Sequence, residues 1–219
     1  MFSLILIIVV TSFISYHGLQ NLYFFDQYKF NVNAVRFKKE YIRLLSSGFL
    51  HGDFMHLILN MYVLYMFGAV VIGNFGILVF FLVYLGAIVL GNLFSLYVYK
   101  NQGGYSAIGA SGGVAGIIFL SVAIDPVGSR IGIIFLPGLS IPGYIFGFLY
   151  FAYSVYNMLY PSRNDMIGHA AHLGGAVFGL TFAVVVSPLT AFYYSFYLLI
   201  MGLPLFYLFY DILIKKRRR

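Results

Sequence analysis

Apolar residues run along this chain in long stretches, broken at a few points by glycine, proline or small polar clusters. The runs are continuous and do not alternate with polar residues, which argues against the strands of a membrane barrel. Each is close to the roughly 20 residues that a helix needs to cross a bilayer. Hydropathy and breakers together predict a first helix over about 2–18 and a long loop over about 19–50. A second helix over about 54–73 ends near "GNFG", and a third covers about 76–98. After the polar stretch "YKNQGGYS", a fourth begins near Ser111 and ends before Asp125 and Pro126. The segment over about 126–143 is rich in glycine and proline, with Arg130 its only basic residue. A fifth helix over about 142–160 stops at Pro161, and "SRND" makes a short polar turn. A sixth over about 167–187 stops at Pro188, and a seventh, about 189–212, precedes the tail "KKRRR". No internal repeat is visible. The fold class this implies is all-α, a polytopic bundle of membrane helices.

Composition strengthens that reading. The chain is 62% hydrophobic and 9% charged, against about 25% charged in a soluble domain. So few charges cannot cover a water-facing surface. Many of them sit in the first loop, at Asp26, Lys29, Arg36, Lys38, Lys39, Glu40 and Arg43, beside the aromatic run "NLYFFDQYKF". Such a segment suits the membrane interface. The stretch from Met1 to Tyr16 has neither a basic leading region nor an Ala-x-Ala-type cleavage site, so it reads as a retained helix. No soluble domain is expected before or after the membrane part. The absence of cysteine excludes disulfides, thiol catalysis and cysteine-based metal sites. The basic tail suits the cytoplasmic side and anionic lipid. Nucleic acid is not an expected partner, because no basic soluble module is present to dock it.

Polar side chains at membrane depth are functional candidates by default. His51, His56 and Asn60 open the second helix in "HGDFMHLILN", Ser111 opens the fourth, and His169 and His172 open the sixth in "GHAAHLGGAVFG". In a zigzag chain the second, fourth and sixth helices run the same way. Their starts then share one side of the membrane, and serine, histidine and asparagine meet at one depth. His56 and Asn60 are four apart and share a helix face, and His169 and His172, three apart, are neighbours too.

Four readings compete for this set. In a packing role, glycines allow close helix contact and backbone carbonyls satisfy the histidines. A zinc site would have to use His51 and His56 at a spacing that is not i,i+4, with Asp53 the only carboxylate within either histidine motif. An ion pathway would call for acidic groups in mid-membrane, and every Asp and Glu is expected outside the helical cores. Nucleophilic catalysis accounts for the most residues. Serine needs a base within hydrogen-bond reach, and His172 can supply it. Gly112 and Gly116 on the fourth helix, with Gly175 and Gly179 on the sixth, would let the two backbones touch. No acidic third member is apparent, so the pair is a dyad. Asn60, the His56 ring N–H and the Ser111 backbone N–H can hold a developing oxyanion. No metal or organic cofactor is expected.

Taken together, "GASGG" around Ser111, "AHLGG" around His172 and "HGDFMHLILN" resemble the rhomboid intramembrane serine proteases, in the family's order and on its second, fourth and sixth helices. The resemblance covers roughly residues 1–187, a six-helix catalytic core, with 188–219 as an added membrane segment and basic tail in a six-plus-one arrangement. It implies cleavage of transmembrane protein substrates within the lipid bilayer. Ser111 is the implied nucleophile and His172 the base, with His56, Asn60 and Gly109 around the oxyanion and His51, His169, Gly112 and Gly175 in support. A cell-membrane location is expected. A catalytically silent relative that binds transmembrane helices is the alternative. Ile42 stands where the family often has tryptophan between an acidic residue (here Glu40) and arginine (here Arg43). Ala115 stands where bacterial relatives often have an aromatic ring on the catalytic histidine. The fifth helix resembles the proposed substrate gate.

The family's topology puts the 19–50 loop and its five basic residues outside, against the positive-inside rule. The sequence leaves three resolutions open: a seventh segment broken at Pro204, an inverted protein, or an interfacial loop held by anionic lipid.

Overall fold

The computed structural model describes residues 1–133, 136–162 and 167–214. The basic tail and most of the "SRND" turn lie outside the described residues. A long helix α1 (Phe2–Gln20) leads into the first loop. That loop is itself folded. It folds into α2 (Leu22–Tyr28), β1 (Phe30–Asn31), α3 (Val32–Phe37), α4 (Arg43–Ser46) and a 3-10 turn at Ser47–Phe49. Local capping explains the first breaks: Asn21 Oδ1 accepts from the Phe24 N–H, and Asn31 Oδ1 accepts from the Ala34 N–H. Arg43 pins the loop by donating to the Glu40 carboxylate and to the Asp26 and Lys29 carbonyls. This anchor forms with Ile42 largely exposed.

The second and third expected helices form one helical run, α5 (Phe54–Val98), interrupted at Gly76, where φ is +81° and ψ is 173°. The interruption is a reversal. A Cβ on Gly68 would sit 2.9 Å from Phe80 Cε2, whereas twelve residues of straight helix would separate the two by about 18 Å. Gly76 turns the chain because L-residues with a side chain rarely adopt its φ. Asp53 caps the start of α5 through the His56 N–H at 2.7 Å.

A two-residue strand, β2 (Ser106–Ala107), pairs antiparallel with β1, fastening the first loop to the segment that enters the next helix. That helix, α6 (Ser111–Ile124), has nearly every residue buried. Its 14 residues span about 21 Å, short of the roughly 30 Å hydrocarbon core. When its Ile124 end reaches one membrane surface, Ser111 lies beneath the other. The glycine- and proline-rich segment that follows is a hairpin, β3 (Arg130–Ile133) against β4 (Leu136–Pro142). The fifth and sixth helices, α7 (Gly143–Leu159) and α8 (His169–Val186), match their expected spans closely.

The seventh segment divides into α9 (Pro188–Tyr193) and α10 (Ser195–Leu213), and α10 continues through Pro204. A hairpin broken at Pro204 is therefore not what the chain forms. Asp211 corrects another expectation, since this carboxylate lies buried in the last turn of α10. By length and apolarity, α1, α5, α8 and α10 can each cross a membrane. Large apolar side chains on α1, α9 and α10, such as Phe13, Leu189 and Phe192, stay exposed, as lipid-facing residues do. The protein is an all-α membrane bundle in which α5, α6 and α8 enclose the main core.

Candidate active site

Ser111 is the first residue of α6, and His172 lies in the first turn of α8. Their side chains meet with His172 Nε2 2.6 Å from Ser111 Oγ. The backbone contact behind this pair has no room for side chains. A Cβ on Gly175 would fall 2.0 Å from Gly112 O, and one on Gly179 would fall 2.0 Å from Gly116 O. Glycine on both helices is what lets α8 come close enough for histidine to reach serine.

Ser111 N–H opens a helix and so has no partner in the preceding turn. Ahead of it, Gly109 takes φ +114°, a left-handed conformation that side chains resist. Gly109 is also where His56 enters. A Cβ there would lie 2.9 Å from His56 Nε2 and 3.4 Å from Ser111 Oγ. His56, Gly109 and Ser111 thus surround one small space. Asn60 sits one turn further along α5, buried, and its Nδ2 donates back to His56 O at 2.9 Å. That bond uses one amide hydrogen and leaves a second.

His51 does not open the helix; it lies three residues before α5, buried in the loop. Its ring stands edge-on to His56 with centroids 4.8 Å apart, and Nε2 accepts from the Ala110 N–H at 3.3 Å. His169 is buried at the start of α8, edge-on to Tyr153 and to His172.

Two polar contributors escaped the sequence reading. Tyr150 on α7 faces His172 with centroids 6.5 Å apart and an interplanar angle of 29°. It offers an aromatic face to the ring from a neighbouring helix, while Ala115 is buried in α6. Nothing in the sequence separates Tyr150 from the other tyrosines of that helix. Asn92 in the second half of α5 is buried and donates to Leu44 O at 2.8 Å and to Ser47 Oγ at 2.9 Å. It carried a signal, because an amide at membrane depth is itself unusual.

A cavity of about 670 Å³ lies between the first half of α5, α6 and the start of α7. Tyr62, Met66, Phe67, Ile118, Phe146 and Arg130 are among the residues lining it, and it extends towards the hairpin.

A model of the Rhomboid domain matches residues 38–189. The matched stretch holds His51, His56, Asn60, Gly109, Ser111, His169 and His172, and leaves out all of α1 and α10. The human presenilin-associated rhomboid-like protein, mitochondrial, is 32% identical over 152 residues, covering 63% of this chain and 36% of that protein. Presenilin-associated rhomboid-like protein A, mitochondrial, of Danio rerio is 28% identical over 159 residues, 65% of this chain and 37% of that protein. RHOMBOID-like protein 12, mitochondrial, of Arabidopsis thaliana is 30% identical over 148 residues, 61% of this chain and 43% of that protein. The chain thus spans less than half the length of these curated relatives. Their names place them in mitochondria and lend no support to a cell-membrane location.

Proposed function

The chain belongs to the rhomboid family, and from that premise we propose that it is an intramembrane serine protease acting on transmembrane protein substrates. The observation that carries this reading is the 2.6 Å separation of His172 Nε2 and Ser111 Oγ. A weak nucleophile and a base in hydrogen-bond contact are the minimum for acyl transfer. His172 Nε2 takes the Ser111 hydroxyl proton as Oγ bonds to the scissile carbonyl carbon. The carbonyl electron pair moves onto oxygen, where the Ser111 N–H and the His56 ring N–H can donate to it, with the second Asn60 hydrogen as a further donor. Donors fixed before the charge develops are the usual source of most of the rate enhancement. Collapse of the intermediate breaks the C–N bond, and the proton on His172 goes to the leaving amine. Water then attacks the acyl-enzyme, His172 takes its proton, and Oγ leaves with that proton. Tyr150 supports this cycle by stacking on the His172 ring.

The short α6 fits the chemistry, because it places the serine beneath a membrane surface and within reach of water from one face. The cavity between α5 and α7 supports α7 as the side from which a substrate helix enters. The protein reconstituted in vesicles with a model transmembrane substrate tests the reading. Cleavage is expected from the wild type, and Ser111→Ala or His172→Ala should each lower it by at least about 10³-fold. Full cleavage by both variants would overturn the dyad.

A further inference from the structure

We propose that Ser15 and His51 are positioning residues, through which α1 holds the Gly109–Ala110 turn and so sets the place of the Ser111 side chain and amide. The proposal rests on the serine-protease reading. It joins to the site a helix that lies outside the matched Rhomboid domain.

Three hydrogen bonds form a directed chain. Ser15 is buried on α1, and its hydroxyl donates to Phe49 O at 2.8 Å. With that proton committed, Ser15 Oγ can only accept from His51 Nδ1, 2.7 Å away. His51 therefore carries its proton on Nδ1 and leaves Nε2 bare. Bare Nε2 is what the Ala110 N–H needs, and the two are 3.3 Å apart. A carbonyl at one end and an amide at the other fix the order. With the opposite tautomer, an N–H would face the Ala110 N–H.

The neighbouring amide is held in the same way. Gly109 N–H donates to Ser47 O at 3.0 Å, and Ser47 Oγ accepts from Asn92 Nδ2. Two successive amides before the nucleophile are thus held by one short segment, residues 47–51. α1 secures that segment on one side and the second half of α5 secures it on the other. The turn needs such support. Its φ of +114° at Gly109 belongs to a residue with no side chain to pack. Both ring nitrogens of His51 are used in the relay, so its hydrogen bonds reach the reaction through the turn, while its ring also packs edge-on against His56.

The test uses the full chain in vesicles, with Ser15→Ala, His51→Ala, His51→Gln and the double variant Ser15→Ala/His51→Ala. Ser15→Ala should lower kcat and the rate of fluorophosphonate labelling at Ser111 by about tenfold, the scale of one lost buried hydrogen bond. KM should stay within about twofold, because the substrate's own contacts are untouched. The double variant should be no slower than His51→Ala, since both break one chain. His51→Gln serves in place of His51→Ala if the alanine variant does not fold. An unchanged labelling rate in Ser15→Ala, or independent multiplication of the two losses, would overturn the relay. Amide hydrogen exchange across residues 108–111 separates this proposal from the protease reading. Faster exchange in Ser15→Ala from a chain that neither labels nor cleaves would support the relay and reject the protease. Unchanged exchange would reject the relay whatever the activity.

Discussion

The α6–α8 seam and the α7–α10 layer both bring two helices together at glycine, but they meet in different ways. In the seam, the atoms that a new Cβ would strike are backbone: Gly112 O against Gly175 and Gly116 O against Gly179, each at 2.0 Å. In the outer layer, a Cβ on Gly147 would strike the end of the Met201 side chain, Cε, at 2.5 Å. Methionine is flexible and yields. At Phe146, α7 also borders the 670 Å³ cavity. The dyad residues are thus carried by two helices that cannot shift separately. Tyr150, which touches the dyad from α7, is carried by a wall that can adjust. The proposed protease activity would use both: a fixed register at the reacting atoms and a compliant side next to them.

Substitutions in the two regions should differ accordingly. Gly175→Val forces α8 away from α6, and turnover should fall by at least about 10³-fold, the cost of losing a triad or dyad member. Its thermal unfolding in detergent should also come at lower temperature. Gly147→Ala should keep turnover within about threefold, because Met201 can change rotamer. Cleavage assays of the two side by side decide the matter, and the reverse order would show the seam to be the compliant region.

Tyr150 sharpens the contrast at smaller scale. An aromatic pair is worth about 0.5–1.5 kcal/mol beyond burial. Tyr150→Ala should therefore lower kcat by roughly two- to tenfold, while Tyr150→Phe keeps the ring and the rate. Equal loss in both variants would assign the effect to the hydroxyl.

The smallest effect concerns pH. Burial first, and then the facing His56 ring, depress the His51 pKa from 6.5 to about 3, against a weaker opposite pull from Asp53. Unfolded chains protonate this ring below about 6.5 and folded ones only below about 3. Between those values the unfolded state binds more protons. Stability therefore falls as pH drops through 6.5, and this loss ends below about 3. Thermal unfolding between pH 7 and pH 4 should show a shallower slope for His51→Gln than for the wild type. Equal slopes would remove His51 from the acid sensitivity.

The helices were legible because apolar runs and breakers are local features. Even the reversal at Gly76 was marked by "GNFG". The site was legible for the opposite reason: serine and histidine at membrane depth stand out against lipid-facing neighbours. What could not be read depends on tertiary contact. Tyr150 is one of 20 tyrosines, and only the placement of α7 beside α8 gives it a role. Ser15 and Ser47 are ordinary small polar residues until the loop folds over α1 and α5. The 126–143 segment read as a loop because glycine and proline punctuate it, yet its ends pair as a hairpin, with Arg130 opposite Pro142. Asp211 was expected outside the helical cores, but it lies two residues before the end of α10, where the fold buries its carboxylate.

The most direct test of the account is labelling of the reconstituted chain by a fluorescent fluorophosphonate, with the adduct located by peptide mass. The account predicts a single adduct on Ser111, absent in Ser111→Ala and slower by at least about 10³-fold in His172→Ala. A wild-type chain that stays unlabelled, as a catalytically silent relative would, or an adduct that forms equally fast without His172, would contradict it.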